Sequence, residues 1–438
     1  MSDTSPSSLG DYVHVKHGYA FKSDHFTDEV TPNILVTPGN FAIGGGFQEH
    51  KLRYYAGPVP DDYFLESGAL VVTMTDLSKA GDTLGFPALI PESAGSRYLH
   101  NQRIGRVEIK DGIEADSRFL FYRLRADDYR HHVLATATGS TVRHTSPGRI
   151  CDFQTTLPEI DDQRAIAGVL GALDDKIEHN RRTAQALERL ARAIFRAWFV
   201  DFEPVKAKVA GATAFPSMPQ AVFDALPTRF IDSEIGPVPK GWDAKPFSSA
   251  CIIVSGGTPK RSEPSYWNGE VPWYSVKDAT DDGEVWVINT DERITEAGVS
   301  NSAARMVPKG CTIISARGTV GKLAMAGKPM TFNQSCYGLL PADRASFSYL
   351  HLLTQTAVAG LKQRTHGSVF DTITRATFDG LLVVAPKLAI VSSFEEIVAP
   401  FFDVLLASRQ ESAMLVEVRN YLLPRLLNGS VRVEPVNG

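Results

Sequence analysis

Apolar residues recur in alternating steps of four and three through Ile166, Leu170, Leu173, Ile177, Asn180, Ala184, Leu187, Ala191, Ile194 and Trp198. A 3.5-residue repeat held over several heptads is the seam of a coiled coil. The acidic residues Glu159, Asp161 and Asp162 follow Pro158, where a helix N-terminus favours negative charge. The run stops near Pro204. The same pattern returns 228 positions later through Phe394, Val398, Phe401, Leu405, Ser408, Ser412, Leu415, Arg419, Leu422 and Leu426. Asn428-Gly429 closes it as a C-cap, and Pro424 is expected to kink its last turns. The spacing predicts helices over about residues 163–201 and 391–427. Both seams turn polar near the middle, at Asn180 in one and at Ser408 and Ser412 in the other, which costs stability but sets register. Antiparallel pairing with Asn180 level with Ser408–Ser412 is the simplest burial; packing of each seam on its own domain is the alternative.

Outside these helices the period changes. Short β-branched runs broken by Gly, Pro, Asn and Asp predict irregular β-rich regions with some helix. These regions also repeat. GSTVRHTSPGRICDFQTTLP (139–158) matches GSVFDTITRATFDGLLVVAP (367–386), Asn101-Gln102 matches Asn333-Gln334, SGALVVTMT (67–75) matches KGCTIISAR (309–317), and NILVTPGN (33–40) matches PWYSVKDA (272–279). Four pairs in one order indicate an internal duplication, with a period too long for a stacked array. The resulting division is a β-rich domain over 1–158, a helix over 159–203, an Ala/Pro/Gly-rich and partly ordered linker over 204–240, a second β-rich domain over 241–386, and a helix with its tail over 387–438. The expected class is α+β: two β-rich domains in pseudo-two-fold relation, separated by two long antiparallel coiled-coil helices.

Composition adds constraints. The 438 residues are 43% hydrophobic and 22% charged, as in ordinary globular chains, so proper cores can form. The net charge of −5 is opposite to that of a small basic DNA-binding domain, so any nucleic-acid surface must gather its cations locally or share them with partners. Cys151, Cys251, Cys311 and Cys336 lie far apart, which argues against a zinc ribbon or a disulfide scaffold. No signal-like N-terminus and no apolar run long enough to span a bilayer is present, so a cytoplasmic location is expected.

Particular tracts resemble the specificity subunits of type I restriction–modification systems. DDQRAIAGVLGALDDKIEHNRRTAQALERLARAIFRAWFVDFEPV (161–205) is similar to that family's central region, above all in its WFVDFEPV ending. DSEIGPVPKGW (232–242), SGGTP (255–259), RGTVGK (317–322), FNQS (332–335) and LLPRLLNGSVRV (422–433) follow in the family's order. TMTDLSKAG (73–81) departs from the RGTVGK-like turn, which leaves the first domain's contacts less defined. The resemblance implies two target-recognition domains, each reading one half of a split double-stranded DNA site. It implies two methyltransferase subunits on the helices and two motor-nuclease subunits in the full complex. S-adenosylmethionine would then belong to the methyltransferase subunits, ATP and magnesium to the motor subunits, and no cofactor or metal to this chain.

The residues themselves offer little catalytic chemistry. No NPPF- or DPPY-like tetrapeptide is present to hold a flipped base. ARGTVGKL (316–323) misses a phosphate loop at Ala316 and Leu323. Glu108-Ile109-Lys110 with Asp82 is a nuclease-like triplet of a kind common by chance, and His131-His132 point apart on any regular element. Cations are plentiful: nine arginines lie between Arg97 and Arg149, and the second half carries Lys260, Arg261, Arg317, Lys322 and Arg364. The preferred DNA contacts are Arg143, His144, Thr258, Lys260, Arg261, Arg317, Lys322, Arg364 and Ser368, most of them in loops beside glycine. The helix and partner interface is assigned to Ile166, Leu170, Leu173, Ile177, Asn180, Leu187, Trp198, Phe394, Phe401, Leu405, Leu415 and Leu422. The expected function is non-catalytic reading of a bipartite DNA target; a stand-alone nuclease or methyltransferase, and a coiled-coil scaffold without DNA specificity, are the alternatives.

Overall fold

The computed structural model describes residues 7–49, 52–78, 80–93, 95–279, 284–364 and 372–433, the last three residues before 365 by their backbone alone. Its two long helices are Ile160–Phe199 and Leu388–Leu427, each of 40 residues. Their starts and their ends are both offset by 228 positions, so the duplication seen in the seam extends to the helix boundaries. The second helix continues through Pro424 and ends with Gly429 at φ 72°, where the Val431 N–H donates to the Arg425 carbonyl at 3.0 Å. A left-handed glycine with that backward bond is the usual way to satisfy the last carbonyls. No helix of the described residues is long and apolar enough to cross a membrane.

The chain forms two compact units that part within the helices. One takes the residues up to Asp175 and those from Leu415 on; the other is Lys176–Met414. In the first unit an antiparallel sheet runs Val13–His17, Ile104–Ile109, Leu70–Thr73, Pro87–Leu89. Val13 and Val15 alternate buried with exposed His14, as a half-buried strand should. A five-stranded sheet beside it contains one parallel pair, Asn33–Leu35 with Arg97–Leu99. In the second unit a sheet of the same order runs Cys251–Ser255, Cys336–Pro341, Thr312–Ser315, Leu323–Ala326 and then adds Trp286–Val287. Short capped turns repeat too: Thr37 and Asn40 form a capping box at one, Ser275 and Asp278 at the other.

Within each unit the helix segments run antiparallel and pack both on each other and on the β-rich part. In the first unit Ile166, Leu170 and Leu426 join the core of Leu9, Val13, Leu120 and Ile150, with Leu422 against its edge; Leu173 and Leu415 are half-buried. In the second, Trp198, Phe394 and Leu405 join the core of Trp242, Trp286 and Phe378, and Leu187 lies at its border. Trp198 and Phe394 meet edge to face at 5.7 Å. Asn180 Nδ2 donates to Glu411 Oε2 at 2.7 Å and to Ser412 Oγ at 3.4 Å, the polar layer expected there, with half-buried Ile177 beside it. Phe401, expected in the seam, is only half-buried. Phe402 takes the buried place, and its carbonyl accepts Trp286 Nε1 at 3.0 Å. The seam departs from strict heptads because this stretch packs on a sheet domain as well as on a helix. The segment 204–240, expected as a linker, carries helices Glu203–Val209 and Gln220–Asp224 and the paired strands Phe230–Ile231 and Val238–Pro239. Val205, Phe223 and Leu226 are buried in the second unit's core, and Lys208 Nζ donates to the carbonyls of Phe223, Asp224 and Leu226. Three scattered apolar residues suffice to dock a segment whose sequence lacks any period.

Asp174 ties the first unit together. It accepts hydrogen bonds from Arg419 Nη1 at 2.6 Å, Tyr122 Oη at 2.8 Å and Arg125 Nη1 at 3.0 Å. Burial raises the Asp174 pKa, but the two guanidiniums and the phenol outweigh it and hold the carboxyl below its ordinary value. Burial pushes Arg125 down, yet a guanidinium stays charged at neutral pH, so the carboxylate is the group that titrates. A carboxyl with a lowered folded pKa contributes stability above its unfolded value of 3.8 and loses it as the pH falls through the folded value. Asp174→Asn should therefore destabilise the first unit by about 1–3 kcal/mol at neutral pH and reduce the loss of stability on acidification. Urea unfolding at pH 7 and pH 3.5 checks this; parallel pH profiles for the two proteins would refute it.

Candidate nucleic-acid interface

The strand ends of both units converge on one loop construction. In the first, the turn Asn101–Arg103 enters the strand Ile104–Ile109. His100 before it is fully buried with Nε2 2.9 Å from the Ile104 carbonyl, and burial pushes its pKa down to about 4, so the neutral ring donates that bond at neutral pH. The Gln102 N–H donates to the Tyr19 carbonyl at 2.9 Å, Met74 N–H to the Arg103 carbonyl at 2.8 Å, and Thr145 N–H to the Met74 carbonyl at 3.0 Å. In the second unit the Ala316 N–H donates to the Ser335 carbonyl at 2.7 Å and Ile373 N–H to the Ala316 carbonyl at 2.9 Å. Gly18 and Gly256 hold the corresponding close approach. A Cβ on either would lie 2.0 Å from the carbonyl oxygen of Asn101 or Asn333. Four loops are thereby knitted by backbone contacts in each unit, whatever side chains they present.

The side chains differ. In the first unit the hairpin after Met74 is built on Asp76, which accepts Ser78 N–H at 2.6 Å and Leu84 N–H at 3.1 Å, along with both the N–H and the hydroxyl of Thr83. Burial raises the Asp76 pKa, but these donors bring it below its ordinary value. Arg143–His144 pairs with Thr75–Asp76, and His144 Nδ1 lies 3.2 Å from Thr75 Oγ1. In the second unit the hairpin is shorter, with exposed Arg317 at its tip beside Gly318 at φ 77°. Ser315 Oγ accepts the Lys322 N–H at 2.9 Å and closes it. Thr258 Oγ1 contacts Gln334 Oε1. Lys260 is exposed, and its carbonyl accepts Trp267 Nε1 at 3.2 Å. Arg261 is fixed: its guanidinium pairs with Glu292 and lies 3.8 Å over the Trp267 ring. That pairing raises the Arg261 pKa and lowers that of Glu292.

Thr258, Lys260, Arg261 and Arg317 thus belong to one loop cluster, and Arg143 and His144 to its counterpart. Lys322 lines a cavity of about 810 Å³ with Glu188, Arg192 and His351. Ser368 and the Arg364 side chain lie outside the described residues. Exposed Gln102, Arg103 and Gln334 also sit in these clusters. The matched Asn-Gln pair is their one signal in the sequence, and by itself it marks only the repeat. Most of the arginine-rich stretch is committed internally. Arg106 pairs with Glu108, Arg118 with Asp175, Arg123 with Asp128 and Arg125 with Asp174; Arg97 lies over Phe64, Arg130 donates to the Gly81 and Leu84 carbonyls, and Arg149 to Thr138.

The candidate catalytic groups are likewise engaged. Glu108 is bound by Arg106, Lys110 Nζ donates to the Gly10 carbonyl, and His132 Nε2 is 2.7 Å from the Arg149 carbonyl. Among the described residues no group of three His, Cys, Asp or Glu is placed to hold a metal ion. All four cysteines are free, and burial pushes the thiols of Cys251, Cys311 and Cys336 up to about 12.

Residues 239–408 match the family model described as a type I restriction modification DNA specificity domain. The chain is 26% identical over 355 residues to the type I restriction enzyme HindI specificity subunit of Haemophilus influenzae, covering 72% of this chain and 77% of that one. It is 27% identical over 193 residues to the MjaIX specificity subunit of Methanocaldococcus jannaschii, covering 44% and 45%. The fold resembles the crystal structure of the type I restriction–modification S subunit from M. genitalium, with TM-score 0.60 at 14% identity over 96% of this chain and 95% of that one.

The glycine contacts yield a direct test. The atom opposing Gly256 is backbone, so alanine there forces the Asn333 turn to move. Gly256→Ala should cost about 1–3 kcal/mol in urea unfolding of the second unit, and Gly18→Ala should do the same in the first. Unchanged unfolding midpoints in both variants would show that the close approach is dispensable.

Proposed function

We propose, from its similarity to the specificity subunits of type I restriction–modification systems, that the chain is one of them and that its two loop clusters read the two halves of a split double-stranded DNA target. The observation that carries this reading is one backbone construction built twice and furnished with different side chains. A duplex presents the same phosphates everywhere and different base edges at each step, so one frame with two sets of exposed groups suits two unlike half-sites.

The second part of the proposal concerns assembly. Exposed apolar residues lie on the long helices, Leu190, Val404 and Met414 in one unit, Val418 and Tyr421 in the other. Such residues suit partner contact, and we assign the helices to anchoring two methyltransferase subunits and, through them, two motor-nuclease subunits. The chain is a non-catalytic subunit. On this reading S-adenosylmethionine is held by the methyltransferase subunits, ATP and magnesium by the motor subunits, and none of them by this chain.

The test is methylation mapping. Host DNA carrying the methyltransferase subunits should acquire methylated adenines at a two-part motif only when this chain is present. Arg317→Ala should relax one half of that motif and Arg103→Ala the other, each by about 1–3 kcal/mol of discrimination. Relaxation of the same half by both variants, or a motif independent of this chain, would refute the proposal.

A further inference from the structure

The two loop clusters share more than their backbone. Lys22 stands four positions after Gly18, and Lys260 four positions after Gly256. Both lysines are exposed, and neither ammonium has a partner among the described residues. Gln102 and Gln334 follow the two asparagines whose carbonyls the glycines touch, and both are exposed. The Gln334 side chain is steadied by the Thr258 hydroxyl. The remaining exposed positions diverge: Arg103 stands where the second unit has Ser335, and the Asp76-centred hairpin stands where the second has Arg317 and Gly318.

We propose that Lys22, Gln102, Lys260 and Gln334 grip the DNA backbone in both half-sites, while the divergent positions alone read bases. The inference rests on the functional reading above and divides its labour. Exposed groups alike in kind, at one sequence offset from the shared glycine–asparagine contact in two units, suit what two unlike half-sites have in common, and that is the sugar–phosphate backbone. Lysine suits it as a compact cation facing phosphate, and glutamine as a neutral donor to phosphate oxygen. Arg261 is excluded from this set because Glu292 already takes up its charge.

The test uses the chain assembled with its methyltransferase subunits. Affinity for a random-sequence duplex is measured across a salt series, and the methylated motif is mapped in parallel. Lys22→Ala and Lys260→Ala should each lower affinity for the random duplex and reduce the slope of log affinity against log salt by about 0.9, leaving the motif unchanged. Gln102→Ala and Gln334→Ala should lower affinity equally on random and motif-bearing duplexes, again with the motif intact. Lys260→Arg should restore both affinity and slope, which a merely structural role would not require. A motif relaxed at one half in Lys260→Ala or Gln334→Ala, or random-duplex affinity untouched by all four substitutions, would overturn the division. If the unmodified complex methylates no two-part motif, the functional reading itself fails, a result distinct from either of these.

Discussion

A glycine α-carbon pressed against an asparagine carbonyl is the constraint on which each loop cluster depends. At Gly18 and at Gly256 there is no room for even one more carbon, so the loop after the first strand and the turn before the long central strand lie in backbone contact. That contact sets where the hairpin beyond Met74 or Ala316 can sit, since its first N–H must reach the carbonyl of Arg103 or Ser335. The incoming segment at Thr145 or Ile373 then bonds to the same hairpin residue. Once four loops are held by their main chains, structural duty falls on a few side chains only, Asp76 in one hairpin and Ser315 in the other, while Arg103 and Arg317 stay exposed.

The helices were legible in the chain because their signal is local and repeats: the 228 offset in apolar spacing returns as the offset between helix ends. The matched asparagine–glutamine pairs and the paired glycine-led strands were legible for the same reason. What escaped was what packing decides. Phe402 rather than Phe401 is buried because the helix answers to a sheet domain as well as to its partner helix. Residues 204–240 look like a linker by composition, yet Val205, Phe223 and Leu226 dock them into the second unit. Composition reports average polarity, whereas docking needs only a few apolar groups in the right places.

The same distinction governs the cations. Nine arginines between Arg97 and Arg149 read in sequence as a basic surface, but folding consumes most of them as clips: salt bridges to Glu108, Asp128, Asp174 and Asp175, a stack on Phe64, and donations to carbonyls. A guanidinium that spans two segments stabilises the unit that carries it but offers little net charge to a phosphate. Arg103 differs from these neighbours in that its exposed guanidinium has no partner among the described residues, whereas exposed Arg97 lies over Phe64. In the second unit the contrast is between adjacent residues: Arg261 is bound to Glu292 and Trp267, and the Lys260 ammonium has no partner among the described residues. This resolves how a chain of net charge −5 can suit a polyanionic ligand. On the proposed function its overall field gives no attraction at long range, and affinity falls to a few uncompensated cations placed beside glycine-held loops and to the charge that partner subunits bring.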